Sequence, residues 1–580
     1  MTVSIFALVS LLPILSGSAS VDGVAQEKVV RQHLRSITTV LGNEEVSTAD
    51  SCMGEQLQQR LKAASRGASV VLEQGTYPLC GTSLVVPSSI TVRGKQGTTL
   101  LNGEIRISGT AQGDANLVRK IQRGSRQLAL GPSPNLNLRS GDWIIVAESE
   151  DLNNNDQPDK GIPQELVQVA SVDSAGPKTV VHLQQSLHHP YELSGTNNES
   201  AVYKASPIHE SSLRNLTLKG VDVEVGIAQN VTLAHLKLDQ SHITPAAQPI
   251  AANADAEFQN IRIDHPRRLR SWNVLLELDG CSRCLLEQIS TFGGTKDAIR
   301  LNGIADTELR DIRIHRAPVR SLRIYRGDQV SVDGLTIVEG GYNGGQSANI
   351  EQWLLDYTHD VNARDVRILR FFQQDAVELR GDVANVHIRD QLVVEHPTPV
   401  NDANTCMHVH GGKFTVRNVS LDGFHFNGCS QQIRLAEGMS TIRIENGSFV
   451  NARSVSIDGG RNLIRDMHHV TFRDLEIARE RAAFLIRNRN NTAHDISSIL
   501  VDNVHVYGGD ERNGSLLSIS DVQGLNIVES YFEPVSNRSI LVRGQAQRVR
   551  YVNNIDHGVH EVIIKGGIEV ESKAQSVVKK

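Results

Sequence analysis

The phrase DAIRLNG, residues 297–303, returns along the chain as LLELDG (275–280), RSLRIYRG (320–327), DAVELRG (375–381), MHVHGG (407–412) and QQIRLAEG (431–438). Each copy alternates apolar and polar residues, and most close on Gly. Period-two alternation is the pattern of a β-strand, whose successive side chains leave on opposite faces. Taking one apolar residue per copy as inward gives Leu276, Ile299, Leu322, Ile350, Val377, Met407, Ile433 and Val455, spaced by 23, 23, 28, 27, 30, 26 and 22 residues. Self-similarity at this period marks a repeat architecture, in which each unit buries its apolar face against the next.

A second phrase accompanies the first: LRNLTLKG, QNIRIDHP, LRDIRIHR, VDGLTIVEG, ARDVRILR, VRNVSLDGF, FRDLEIAR and VDNVHVYG. Two or three short strands in each unit argue for β-coils, because helical repeats need apolar residues at period 3.6 over ten or more positions. The 4% aromatic content and 47 Gly suit stacked coils filled by aliphatic layers. Recurrent Asn and Asp suit the left-handed turn positions between strands.

Before the repeats, residues 54–103 read as a helix-forming GEQLQQRLKAAS, then SVVLEQGTYPL, then SLVVPSSITVRGKQGTTLLNG. This opening resembles that of the pectin-lyase-like right-handed parallel β-helix superfamily, which includes polygalacturonases, polysaccharide lyases and phage tailspikes. The resemblance implies an all-β chain, a single-stranded right-handed parallel β-helix (solenoid) with an N-terminal capping helix. It speaks for fold more than reaction, since function belongs to sites grafted on folds.

The expected organisation is a signal peptide over 1–20, a polar lead-in over 21–50, the cap and first coils over 51–109, an inserted small β-module over 110–205, the β-helix over 206–560, and a C-terminal strand and tail over 561–580. The apolar run Ile5 to Leu15 ahead of Ser16-Gly17-Ser18-Ala19-Ser20 has the form of a secretion signal. It is too short to span a bilayer. Secretion, extracellular or periplasmic, is the expected address, with no membrane partner. Cys52 and Cys80, Cys281 and Cys284, and Cys406 and Cys429 lie near one another in pairs. An exported chain with an even cysteine count favours disulfides, although six cysteines permit fifteen connectivities. The net charge of −6 argues against a nucleic-acid partner.

In the inserted segment, Asp151, Asn153, Asn155 and Asp159 have the spacing of early calcium-loop ligands, which makes calcium the one cofactor suggested. Asp156 stands where such a loop has Gly, and Ile162 where it has Glu. The other reading is a solvated polar turn.

Stacked coils turn the alternation into columns. One outward column reads Glu277, Arg300, Arg323, Glu351, Glu378, His408, Arg434 and Ser456. The next reads Asp279, Asn302, Tyr325, Trp353, Arg380, His410, Ala436 and Asp458. Asp297, Arg320 and Asp375 precede their strands. The coil holding Glu351 has the poorest alternation, because Gln352 then points inward. Oppositely charged neighbours stabilise an exposed sheet, which accounts for Glu277 beside Arg300. It does not account for Arg300 beside Arg323 or Glu351 beside Glu378, and stacked like charges mark functional sites.

Such a strip suits an extended acidic glycan, uronate-containing or sulfated. The first reading is glycoside hydrolysis by a carboxyl pair drawn from Glu378, Asp375 and Glu351. Arg300, Arg323, Arg380, Arg434 and Asp297 would bind the substrate, with Tyr325 and Trp353 stacking on sugar rings. The second is a polysaccharide lyase, with His408 or His410 as base and arginines neutralising the uronate. A rival from another class is a non-catalytic adhesin or tailspike-like fibre, and either a monomer or a β-helix trimer is expected. DAVELRG, DAIRLNG and MHVHGG are also similar to polygalacturonase segments, which would match Asp375, Asp297 and His408 or His410 to that family's site. Gln374 and Lys296 depart from its pattern, and Arg434 lacks the Lys that follows it there.

Overall fold

The computed structural model describes residues 51–532, apart from segments such as 149–162, 192–199, 246–250, 266–273, 342–349 and 397–403, together with scattered strands on either side. The signal segment 1–20 and the Asp151–Asp159 loop lie outside the described residues. The chain is an all-β, right-handed parallel β-helix. Strands of each coil pair in parallel with their counterparts one coil on, from Thr91–Gly94 and Thr98–Ser108 through the repeats.

The alternation explains the stack. Leu276, Ile299, Leu322, Trp353, Val377, Met407, Ile433 and Val455 are register partners in succession, and all are buried. Leu278, Leu301, Ile324, Leu355, Leu379, Val409, Leu435 and Ile457 form a parallel buried column. Each such side chain adds about 1.5–3 kcal/mol of burial.

The Gly that closes the phrase has a backbone reason. Gly280, Gly303 and Gly381 turn the corner after this strand with φ of 57°, 58° and 78°, and Arg326 and Tyr357 take the same left-handed conformation in the coils between. At another corner Asp360, Asn385 and Asn418 are left-handed. Their side chains form a ladder, Asn385 Nδ2 to Asp360 Oδ1 at 2.6 Å and Asn418 Nδ2 to Asn385 Oδ1 at 2.9 Å. Helix Gly54–Ala63 caps the first coil with Leu57 and Leu61. The cysteines form Cys52–Cys80, Cys281–Cys284 and Cys406–Cys429 disulfides, and no free cysteine remains. No helix among the described residues is long and apolar enough to cross a membrane.

Between Thr110 and Ser206 the chain leaves the coils to form a separate six-stranded antiparallel sheet with its own core around Ile144, Val146, Val167 and Val202. Ile145, Leu166 and Ala205 pack on Ile227, Ala252 and Ala254 of the helix. Buried charges finish the contact. Arg326 Nη1 donates to Glu148 Oε2 at 2.8 Å, and Arg123 pairs with Asp328 at 3.0 Å and with Asp360. Burial lifts the Asp328 carboxyl to about 6, with Asp360 adding to the rise and Arg123 opposing it.

The folded chain therefore takes up a proton at Asp328 that the unfolded chain does not hold between about pH 4 and 6, and this contribution to stability is lost as pH rises through about 6. Asp328→Asn, followed by calorimetry from pH 4 to 7, is expected to gain stability relative to wild type as pH rises. Arg123→Ala, which strands a buried carboxylate, is expected to cost about 1–3 kcal/mol near pH 7.

Candidate functional site

Register sets the strip. Arg300 lies against Arg323, Glu378 against His408, and His408 against Arg434. The coil between departs from the expected columns. Trp353, not Ile350, is the partner of Leu322, so the strand is shifted and Trp353 is wholly buried in the core. A large apolar side chain facing inward outweighs the even spacing of the repeats. Leu354 thus sits between Arg323 and Glu378, and Asp356 between Tyr325 and Arg380. Glu351 stands opposite Asp375 at the strand start. Trp353 cannot stack on a sugar. Tyr325, also buried, packs against Tyr357 and beneath the guanidiniums of Arg323 and Arg326.

Most of the arginines are held by carboxylates. Arg300 donates to Asp297 Oδ2 from Nε at 3.0 Å and Nη2 at 2.7 Å, and from Nη1 to Glu277 at 3.1 Å. Arg380 grips Asp356 with Nε at 3.2 Å and Nη2 at 2.5 Å, and Arg323 Nη2 reaches the same carboxylate at 3.3 Å. Arg320 Nε donates to Glu351 Oε2 at 2.6 Å. Asp297, Glu351, Asp356 and Glu378 are all buried, so these pairs stand in a low-dielectric wall. Burial lowers the Lys296 ammonium below its usual range, and Arg300, Arg320 and Arg323 lower it further. The Arg434 side chain makes no ion pair or hydrogen bond with another of the described residues.

Sequence reasoning placed Arg320 before its strand without giving it a role, and it missed Asp356. Turning Trp353 and Leu355 inward would have brought Asp356 between Tyr325 and Arg380.

At the centre two carboxyl groups diverge. Burial lifts Glu351 to about 7; the charge of Glu378 adds to this, and Arg320 opposes it. Burial acts the same way on Glu378, but the His410 hydrogen bond and the Arg380 charge outweigh it and hold that carboxyl below its usual range. The two are in hydrogen-bonding contact, so Glu351 carries the proton and Glu378 the charge. Beside them, His410 Nε2 lies 2.7 Å from Glu378 Oε1 and His408 Nδ1 lies 3.0 Å from Asp375 Oδ2. An ionised carboxylate only accepts, so each of these ring nitrogens carries its proton. In the neutral form of His408 the lone pair is then on Nε2. The rings stack at 4.6 Å, and they and Asp375 are partly exposed, whereas Glu351 and Glu378 are buried.

Neither a family model nor a curated protein matches the chain. Among solved structures, it is similar to the tailspike gp61 of Pseudomonas phage phi297, at 12% identity and a TM-score of 0.43, over 92% of this chain and 76% of that one. It is also similar to the Gp54 tailspike of Acinetobacter baumannii bacteriophage AP22, solved with a capsular saccharide, at 11% identity and a TM-score of 0.39, over 86% and 74% of the two chains. The A-module of the Azotobacter vinelandii mannuronan C-5 epimerase AlgE6 follows at 10% identity and a TM-score of 0.33, over 75% and 94%. At these identities the likeness carries nothing about the site.

Two substitutions separate the influences on Glu351. Glu378→Gln removes the neighbouring charge and is expected to bring the Glu351 carboxyl down toward its ordinary range. Arg320→Ala is expected to move it above about 7. Carbon-13 titration of the glutamate carboxyls reads both, and a shift in the same direction for both variants would contradict the assignment.

Proposed function

We propose that the protein is a glycan-cleaving enzyme acting on an extended acidic polysaccharide by β-elimination at a uronate. The observation that carries this reading is His408: its Nδ1 is held by Asp375, so that Nε2 is the acceptor of the neutral ring, and Arg434 stands one coil away. A base oriented by a carboxylate beside a guanidinium that has no partner among the described residues is what abstraction of a proton next to a carboxylate requires. Arg434 neutralises the uronate. His408 Nε2 takes the proton on the carbon bearing it, the electron pair forms the ring double bond, and the glycosidic C–O bond breaks. The departing oxygen takes a proton from His410, whose imidazolium form Glu378 stabilises.

A second reading has one observation in its favour. Glu351 keeps a proton up to about 7, as the acid of a glycoside hydrolase does. Two features weigh against it: Glu351 and Glu378 are buried behind the histidines, and they touch, whereas hydrolytic pairs stand about 5–9.5 Å apart. A binding-only fibre has no use for a carboxylate-held imidazole. The disulfides fit a chain that works in an oxidising compartment, outside the cytoplasm.

The test is incubation with a panel of uronate-containing polysaccharides. Elimination gives products with the ultraviolet absorbance of an unsaturated uronate, and hydrolysis gives reducing ends without it. His408→Ala is expected to lower kcat about 10²–10⁴-fold, and Arg434→Ala chiefly to raise KM. Full activity in His408→Ala would end the proposal. Reducing ends without absorbance, abolished in Glu351→Gln, would establish the hydrolase instead.

A further inference from the structure

His408 and His410 stand at i and i+2 of one strand and so leave on the same face, while Glu378 meets them from the neighbouring coil as the register partner of His408. One ligating atom from each of the three lies within 4.8 Å of the other two. We propose that Glu378, His408 and His410 form a binding site for a divalent transition-metal cation. Two imidazoles and a carboxylate are the donor set of zinc and manganese centres, not of an all-oxygen calcium site.

Two further features belong to a metal site. Asp375 holds His408 Nδ1 at 3.0 Å, the outer carboxylate that fixes a ligating imidazole and directs its other nitrogen to a cation. Glu378 Oε2 is buried and, the neighbouring Glu351 carboxyl aside, receives no hydrogen bond among the described residues. Coordination replaces the proton between His410 Nε2 and Glu378 Oε1, whose 2.7 Å separation opens by a few tenths of an ångström to admit bonds of about 2.0–2.2 Å. Three protein donors leave positions open on the exposed side of the histidines, as in sites that exchange ligands. On the elimination reading, which this consequence rests on, a bound cation occupies the lone pair of His408 and suppresses proton abstraction.

Calorimetric titration of the chelator-treated full-length chain with zinc chloride, and separately with manganese chloride, tests the site without any glycan. One cation per chain at micromolar or tighter affinity is expected for at least one of them, with a rise in melting temperature. Glu378→Gln and His410→Asn should each weaken it at least tenfold, Asp375→Asn by about 10–100-fold, and the exposed Arg389→Ala not at all. Circular dichroism confirms that each variant is folded. Absence of saturable binding, or unchanged affinity in both Glu378→Gln and His410→Asn, overturns the site whether or not glycans are cleaved. Saturating cation should cut elimination at least tenfold. Undiminished cleavage with the cation bound refutes the inhibitory role, and cation binding in a chain that cleaves nothing upholds the site while the elimination reading fails.

Discussion

Every feature of this molecule follows from one constraint: parallel strands of successive coils hydrogen-bond at about 4.8 Å, so equivalent residues are stacked whatever their chemistry. For inward residues this is favourable without further provision. Ile299 over Leu322 and Leu301 over Ile324 exclude water and one another's voids. For outward residues it is a liability. Arg300 over Arg323 roots two like charges one strand apart, and the ladder's own hydrogen bonds hold their backbones at that spacing.

The chain meets that liability with carboxylates drawn from other columns. Asp297 enters from the strand start to hold Arg300, and Asp356 comes from the next coil to hold Arg323 and Arg380 together. Each pair is buried, and a buried pair is expensive to form and more expensive to break. The outcome is a rigid polar wall in which the remaining titratable groups are pushed apart. Glu351 retains its proton chiefly because it is buried, and the charge of Glu378, which is held by His410, adds to the effect. The histidines are thus each held by a carboxylate and are themselves partly exposed. The inserted module braces the same coils through the Arg326–Glu148 pair, one residue from Tyr325.

The coil stack was legible from residues 275–438 because inward positions repeat the same few aliphatic side chains at period two. Columns could be written for Glu277, Arg300, Arg323, Glu378, His408 and Arg434, and the register places them so. The coil of Glu351 was misphased. Its run EQWLLD is buried at every position, so alternation carries no signal there, and equal spacing was the wrong guide. Long-range pairing was not legible either. That Arg320 reaches Glu351, or that Arg123 of the inserted module reaches Asp328, depends on side-chain length and direction, which no periodicity encodes.

The misphased coil also shows how such a fold admits a site at all. Trp353 follows Leu322 by 31 residues and Met407 follows Val377 by 30, whereas the coil from Ile299 to Leu322 needs only 23. The register on either side of both intervals is kept. The added residues enter before Glu351 and before Thr405, at the starts of the strands that carry Glu351, His408 and His410. A coil can therefore lengthen beside the strip without moving any inward residue, because ladder hydrogen bonds fix the strands and leave the connection free. Loops that vary over a fixed scaffold are where specificity accumulates. In this chain the scaffold supplies charged columns with set spacing, and the longer coils border the stretch where those columns hold His408, His410 and Arg434.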